Sequence, residues 1–155
     1  MTDASAPGHA PIAIDVSRFA TGQAARFGLR VLAAGGGESE LLLPATYGDE
    51  RDGDLHFKAA AFDYAADIAA LVAVLSRVDR TREQPNGTAS LHLSRLASPT
   101  GDVRLRGRVA YWSPYEALVE LTAVDAAGHD VARGLSAYSL RPVAPETAGD
   151  AGAQP

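Results

Sequence analysis

The chain has 155 residues, a formal net charge of −5 and no cysteine. That length suits one domain that buries a core without staples, and the missing cysteine excludes disulfides, thiolate nucleophiles and cysteine-ligated zinc. The acidic balance with scattered arginines speaks against a nucleic-acid footprint, and the longest apolar run, Ile68 to Leu75, is too short to span a bilayer.

Residues 1–12 are rich in small residues, proline and polar groups and read as a disordered tail. They lack the basic and apolar regions of a signal peptide, so a cytoplasmic location is expected. Residues 144–155 read as a second tail, which leaves 13–143 as a single domain. Arg26 to Ala33 alternates weakly, as a strand would, and Glu40 to Thr46 reads as a second strand. The GGGES turn at 35–39 can join them, because glycine takes the positive φ angles of a tight connection. A polar loop, YGDERDGD, covers 47–54.

A helix is predicted over about 56–76. Alanine and leucine dominate it, and its apolar positions run nearly all the way round, as in a buried helix. Yet it carries Asp63 and Asp67 one turn apart, with the only lysine, Lys58, near its start. Charges, Pro85 and an Asn-Gly pair read as its closing loop over 77–87.

The period then changes to two. Strands are predicted over 88–96, 102–112, 115–124 and 131–140, with DAAGHD (125–130) as a hairpin loop. In the second of them Val103, Leu105, Gly107, Val109 and Tyr111 share one face, and Arg104, Arg106 and Arg108 the other. Two strands, a long helix and four consecutive strands make an α+β domain in which one antiparallel sheet curls round one helix.

Residues 87–142 carry further detail: a strand opening on Gly-Thr (87–88), a Leu-x-Ser-Pro connection (96–99) and Gly-Asp (101–102). An arginine-rich strand, an AVDAAG hairpin (123–128) and an Ala-Arg-Gly strand (132–134) follow. With the helix segment AAAFDYAADIAA (59–70), this resembles acyl-CoA thioesterases of the phenylacetate-pathway, PaaI-like type over residues 26–142. The resemblance implies the hotdog fold, an antiparallel sheet of five to six strands wrapped around one long central helix. It also implies a homodimer or homotetramer with sites at the subunit interface. The substrate would be a small-molecule acyl thioester, with coenzyme A as part of that substrate and no separate cofactor, and no nucleic acid or membrane as partner.

Members of that family usually carry His-Gly-Gly at the helix entrance and an acidic residue nine positions after the histidine. Asp67 matches the acid, and Lys58-Ala59-Ala60 stands where His-Gly-Gly is usual. The resemblance thus makes Asp67 the general base or nucleophile, and weaker solvation among Ala, Ile and Phe suits a base. Asp63 takes the part if the register differs; otherwise it pairs with an arginine. His56, two residues upstream of Lys58, either caps the helix or polarises a carbonyl. Lys58 is either a surface lysine or a contact for a coenzyme A phosphate or a substrate carboxylate. His92 alternates with Leu91 and Leu93 and lies on the opposite strand face. Arg104 and Arg106 form, with Arg108, either a solvated outer face or a dock for the phosphoadenosine end of coenzyme A. No histidine or carboxylate spacing points to a metal. Two other readings remain at this stage: a non-hydrolytic protein binding acyl-CoA or acyl-carrier protein, and an enoyl-thioester hydratase on the same fold.

Overall fold

A computed structural model describes residues 22–47 and 59–143. A short helix, α1 (Gly22–Arg26), leads into β1 (Arg30–Gly35) and β2 (Glu38–Leu43). A 3-10 turn, Ala45–Tyr47, follows. Then come the long helix α2 (Ala59–Leu75) and strands β3 (Glu83–Arg95), β4 (Val103–Trp112), β5 (Glu116–Asp125) and β6 (Asp130–Pro142). The strands form one six-stranded antiparallel sheet in the order β1-β2-β4-β5-β6-β3. This is the hotdog arrangement, with α2 lying in the curve of the sheet. Among the described residues no helix is long and apolar enough to cross a membrane.

The helix lies close to the sheet because small side chains allow it. Ala65, Ala69, Ala70 and Ala73 are fully buried, and valines 72 and 74 fill the space beside them. Across from them, Leu41, Leu43, Val103, Leu105, Val119 and Leu121 point inward from β2, β4 and β5. Burying each such side chain contributes roughly 1.5–3 kcal/mol. At Gly107 the approach is closest: a Cβ there would stand 2.8 Å from the Ala69 carbonyl oxygen and 2.8 Å from the Ser39 hydroxyl. Ser39 Oγ donates to that same carbonyl at 2.7 Å, and Gly37 N–H donates to Ser76 Oγ at 2.9 Å near the helix C-terminus. Two hydroxyls therefore fix where along the sheet the helix sits.

Several features differ from the sequence expectations. The second strand spans Glu38–Leu43 rather than 40–46, with Ala45–Tyr47 turning in the 3-10 segment. The first strand begins at Arg30 rather than Arg26, because residues 22–26 form a helical turn whose neighbour Phe27 packs on Tyr64 of α2 at 5.4 Å. β3 begins at Glu83, so Pro85 and Asn86-Gly87 lie inside a strand rather than in a closing loop. β3 is an edge strand, where a proline needs no partner for its missing N–H, and the pairing with β6 shifts register between Pro85 and Gly87 and again between Thr88 and Ser90. In β4 a register shift between Val109 and Tyr111 brings Trp112 opposite buried Ala117 and leaves Tyr111 exposed, reversing the predicted face of Tyr111. The tails at 1–12 and 144–155, and 48–54 of the predicted 47–54 loop, lie outside the described residues.

The β5–β6 hairpin is closed by Asp125, whose side chain is only 1% exposed. Its carboxylate accepts N–H bonds from Thr100 (3.0 Å), Ala127 (3.0 Å) and His129 (2.9 Å). The His129 N–H is the main influence holding this carboxyl below its ordinary 3.8; burial opposes it, and the Thr100 N–H, the His129 ring charge and the Ala127 N–H assist. A lowered carboxyl means that the unfolded chain takes up the proton first as pH falls. The stability from ionised Asp125 is therefore complete above about 3.8 and is lost as pH drops through the lower folded value. Asp125→Asn should lower the Tm at neutral pH and flatten the acid end of the Tm-against-pH curve. An unchanged curve would remove this role.

Candidate functional site on the uncovered face of the helix

The sheet leaves one stripe of α2 partly open. Ala60 and Asp63 are exposed, and Tyr64, Asp67, Leu71 and Leu75 are half-buried, at the three- and four-residue spacing of one helical face. This stripe borders edge strand β3, and β3 supplies a partner to each carboxylate. Thr88 Oγ1 donates to Asp67 Oδ1 at 2.6 Å. Arg95 Nη2 donates to Asp63 Oδ1 at 2.9 Å, and its guanidinium lies 5.6 Å from the Phe62 ring centre. Two like charges one turn apart cost a helix roughly 0.2–0.5 kcal/mol, and the arginine offsets that cost.

Behind Thr88 stands Tyr138 of β6, its direct register partner, with the side chain buried. Burial pushes the phenol above its ordinary range, the Thr88 contact pulls it back, and the charge of Asp67 pushes it up again. The phenol therefore stays neutral at physiological pH. Thr88 of β3 thus bonds Asp67 on the half-open helix face and is paired in register with the buried Tyr138 of β6.

One turn along the stripe, Asp63, Leu91, Leu93 and Arg95 line a hollow of about 430 Å³. It offers two leucines and one neutralised ion pair. A larger hollow of about 510 Å³ lies across β1, β2, β4 and β5, with Glu38, Glu40, Arg106, Arg108 and Glu120 in its lining. It shares no residue with the Asp67 group. Its charges are mixed and mostly paired, and the carboxylate that lines the smaller hollow is Asp63, one turn from Asp67.

The structure brings Asp67 and Asp63 together on one face. It does not bring His92, Arg104 or Arg106 to them within the chain. Leu91 and Leu93 face the helix side, and His92, opposite Leu135, is exposed on the other face of the sheet. Arg104 and Arg106 stand on that same outer face and meet Glu40 at 3.0 Å and 3.6 Å. Ala60 is exposed in the first turn of α2, and Ala59 begins the helix. His56 and Lys58 lie outside the described residues. Among the described residues no three histidine, aspartate or glutamate side chains are grouped to hold a metal. Sequence reading missed Thr88, Tyr138 and Arg95. The alternation of Leu91, Leu93 and Arg95 could have placed Arg95 on the helix side. Nothing local marks Thr88, because a register shift between Thr88 and Ser90 changes the phase of the strand there.

The Asp63–Arg95 pair is about half exposed on each side, so solvent screens it. Asp63→Asn should change stability by no more than about 0–1 kcal/mol, read as a Tm within a few degrees of wild type. A loss of more than about 8 °C would show that the pair holds β3 to the helix.

No family model and no curated protein match the chain. Solved structures do. PA5026 of Pseudomonas aeruginosa, described as a protein of unknown function and probable thioesterase, superposes with a TM-score of 0.68 at 22% identity, over 88% of this chain and 100% of that one. A mutant of the thioesterase PA1618 of the same organism gives 0.71 at 15% identity, over 85% and 97%. A hypothetical thioesterase of Streptococcus pneumoniae, solved with coenzyme A, gives 0.60 at 8% identity, over 76% and 88%. At these identities the likeness establishes the hotdog fold that these thioesterase structures share.

Proposed function

We propose that this protein is an acyl-thioester hydrolase acting on acyl-CoA esters, with Asp67 as its general base. The observation that carries the reading is the Thr88–Asp67 hydrogen bond on the one helix face that the sheet leaves open. A carboxylate there is half-buried, so water and substrate can reach it, it is held by the Thr88 hydroxyl, and one turn along the helix Asp63 lines a hollow with Leu91 and Leu93. The likeness to structures described as thioesterases, one of them with coenzyme A, supports the same chemistry.

In the proposed reaction Asp67 takes a proton from a water whose oxygen attacks the thioester carbonyl carbon. The carbonyl oxygen carries the negative charge until the C–S bond breaks. The thiolate leaves and takes up a proton, giving a carboxylic acid and free thiol. Attack by Asp67 itself, through an anhydride that water then opens, gives the same products. Unpaired N–H groups at a helix N-terminus suit the oxyanion. The start of α2 at Ala59 lies about 12 Å along the axis from Asp67, too far to serve the same carbonyl. A complete site therefore calls for the Ala59–Ala60 end of α2 from a second copy. β3 is an edge strand, so two copies can pair there as a cytoplasmic homodimer and satisfy their open backbone groups. This mechanism needs no part from His92, Arg104 or Arg106.

A second reading is a protein that binds acyl-CoA without cleaving it. Lys58-Ala59-Ala60 motivates it, because methyl groups stand where glycines allow amides a close approach. One experiment separates the readings. The purified protein is incubated with short, long, aryl and enoyl acyl-CoA esters, and free thiol is followed together with the conjugated absorbance of the enoyl ester. Thiol release is expected. Saturable binding without thiol would replace hydrolysis by binding, and loss of absorbance without thiol would replace it by hydration.

A further inference from the structure

We infer that the hollow beside Asp63 holds the far end of the acyl group, and that Arg95 selects chains carrying a neutral oxygen, oxo or hydroxyl, about five bonds from the thioester carbonyl carbon. The inference deepens the proposed function and rests on Asp67 marking where that carbonyl sits. Along β3 the helix-side residues run Thr88, Leu91, Leu93, Arg95. Thr88 is bonded to Asp67, Arg95 is bonded to Asp63, and the two leucines line the hollow with Asp63 and Arg95. A chain leaving Asp67 therefore passes apolar walls first and meets a polar end. The reach follows from the helix. Asp63 and Asp67 are one turn apart, about 6 Å along the axis. An extended chain covers that in about five bonds, at roughly 1.25 Å of advance each.

The guanidinium at that end is held on two sides. Its Nη2 donates to Asp63 Oδ1 at 2.9 Å, and its central carbon lies 5.6 Å from the centre of the Phe62 ring, which is buried in the core. A guanidinium has five N–H donors in a fixed fork, so donation to Asp63 is compatible with donation to a ligand oxygen. A plain methylene chain at this point would strip water from the ion pair and give no hydrogen bond in return. A carboxylate would add a third negative charge to those of Asp63 and Asp67. A neutral oxygen takes the hydrogen bond without either cost. The phosphates of coenzyme A lie beyond the pantetheine arm, many more bonds from the sulfur than one helical turn spans, so they are not what Arg95 meets.

The test measures kcat/KM by thiol release for three esters of equal chain length: hexanoyl-, 5-oxohexanoyl- and adipoyl-CoA. Wild type should prefer 5-oxohexanoyl to hexanoyl by on the order of ten-fold, with adipoyl below 5-oxohexanoyl. Arg95→Met keeps an apolar stem over Phe62 and removes the donors, so it should bring the ratio of 5-oxohexanoyl to hexanoyl to about one. The ratio is taken within each protein, so a change in folded fraction cancels. A wild-type ratio near unity, a preference for adipoyl, or a ratio that survives Arg95→Met would overturn the inference. So would an equal loss for all three esters in Arg95→Met, the mark of a contact to the pantetheine arm instead. If no ester is hydrolysed, the functional reading falls. Calorimetric binding of the thioether analogues of the hexanoyl and 5-oxohexanoyl esters then decides the role of Arg95 by the same ratio.

Discussion

Gly107→Val is expected to lower the Tm by on the order of 10 °C or to abolish folding. A side chain at this position of β4 would meet a backbone oxygen, Ala69 O, and the Ser39 hydroxyl, each 2.8 Å from the first added carbon. Flexible side chains could move aside, but a helix carbonyl moves only with its helix. Overpacking a core typically costs about 1–3 kcal/mol, occasionally more, and valine adds three carbons where the first has no room. At about 2–8 °C per kcal/mol for domains of this size range, the loss is easily read by thermal unfolding. Ala110→Val, on the exposed face of the same strand, serves as control and should leave the Tm within about a degree or two. If Gly107→Val unfolds at the wild-type temperature, the helix does not rest on β4 as described. The same contact sets the site, because Asp67 lies only two residues from Ala69 and moves with it.

Asp67→Asn is expected to leave folding and acyl-CoA binding intact and to reduce kcat by roughly 10²–10⁴-fold, the usual contribution of general-base catalysis. The amide matches the carboxylate in shape, and its oxygen can still accept the Thr88 proton. What it cannot do is take a proton from water or attack a carbonyl. KM should therefore change little while kcat falls, the mark of an interaction made only in the transition state. Circular dichroism and thermal unfolding should superpose on wild type, so that lost turnover cannot be ascribed to lost structure.

Much of this architecture was legible because two physical periods carry it. A run of alanine, leucine and valine with few charges announced a helix that needs cover on most sides. The alternation of Val103, Leu105 and Gly107 with Arg104, Arg106 and Arg108 announced a strand with one face in the core, and the structure has them so. What was not legible lies where local signals mean different things in different places. Pro85 and Asn86-Gly87 read as a turn, yet on an edge strand the same residues make an irregular stretch of pairing. The register shift in β4 exchanged the faces of Tyr111 and Trp112. Asp63 and Asp67 could be placed on one side of the helix by spacing alone. Their partners could not, because Arg95 and Thr88 come to them through tertiary packing, 32 and 21 residues away in the chain.

The central claim is that Asp67 cleaves an acyl thioester at the face of α2 beside β3. Its most direct test is free-thiol release from the best ester of the panel by wild type, Asp63→Asn and Asp67→Asn in parallel. Release by wild type and Asp63→Asn, with loss confined to Asp67→Asn, is the predicted result. Release by Asp67→Asn at the wild-type rate would contradict it.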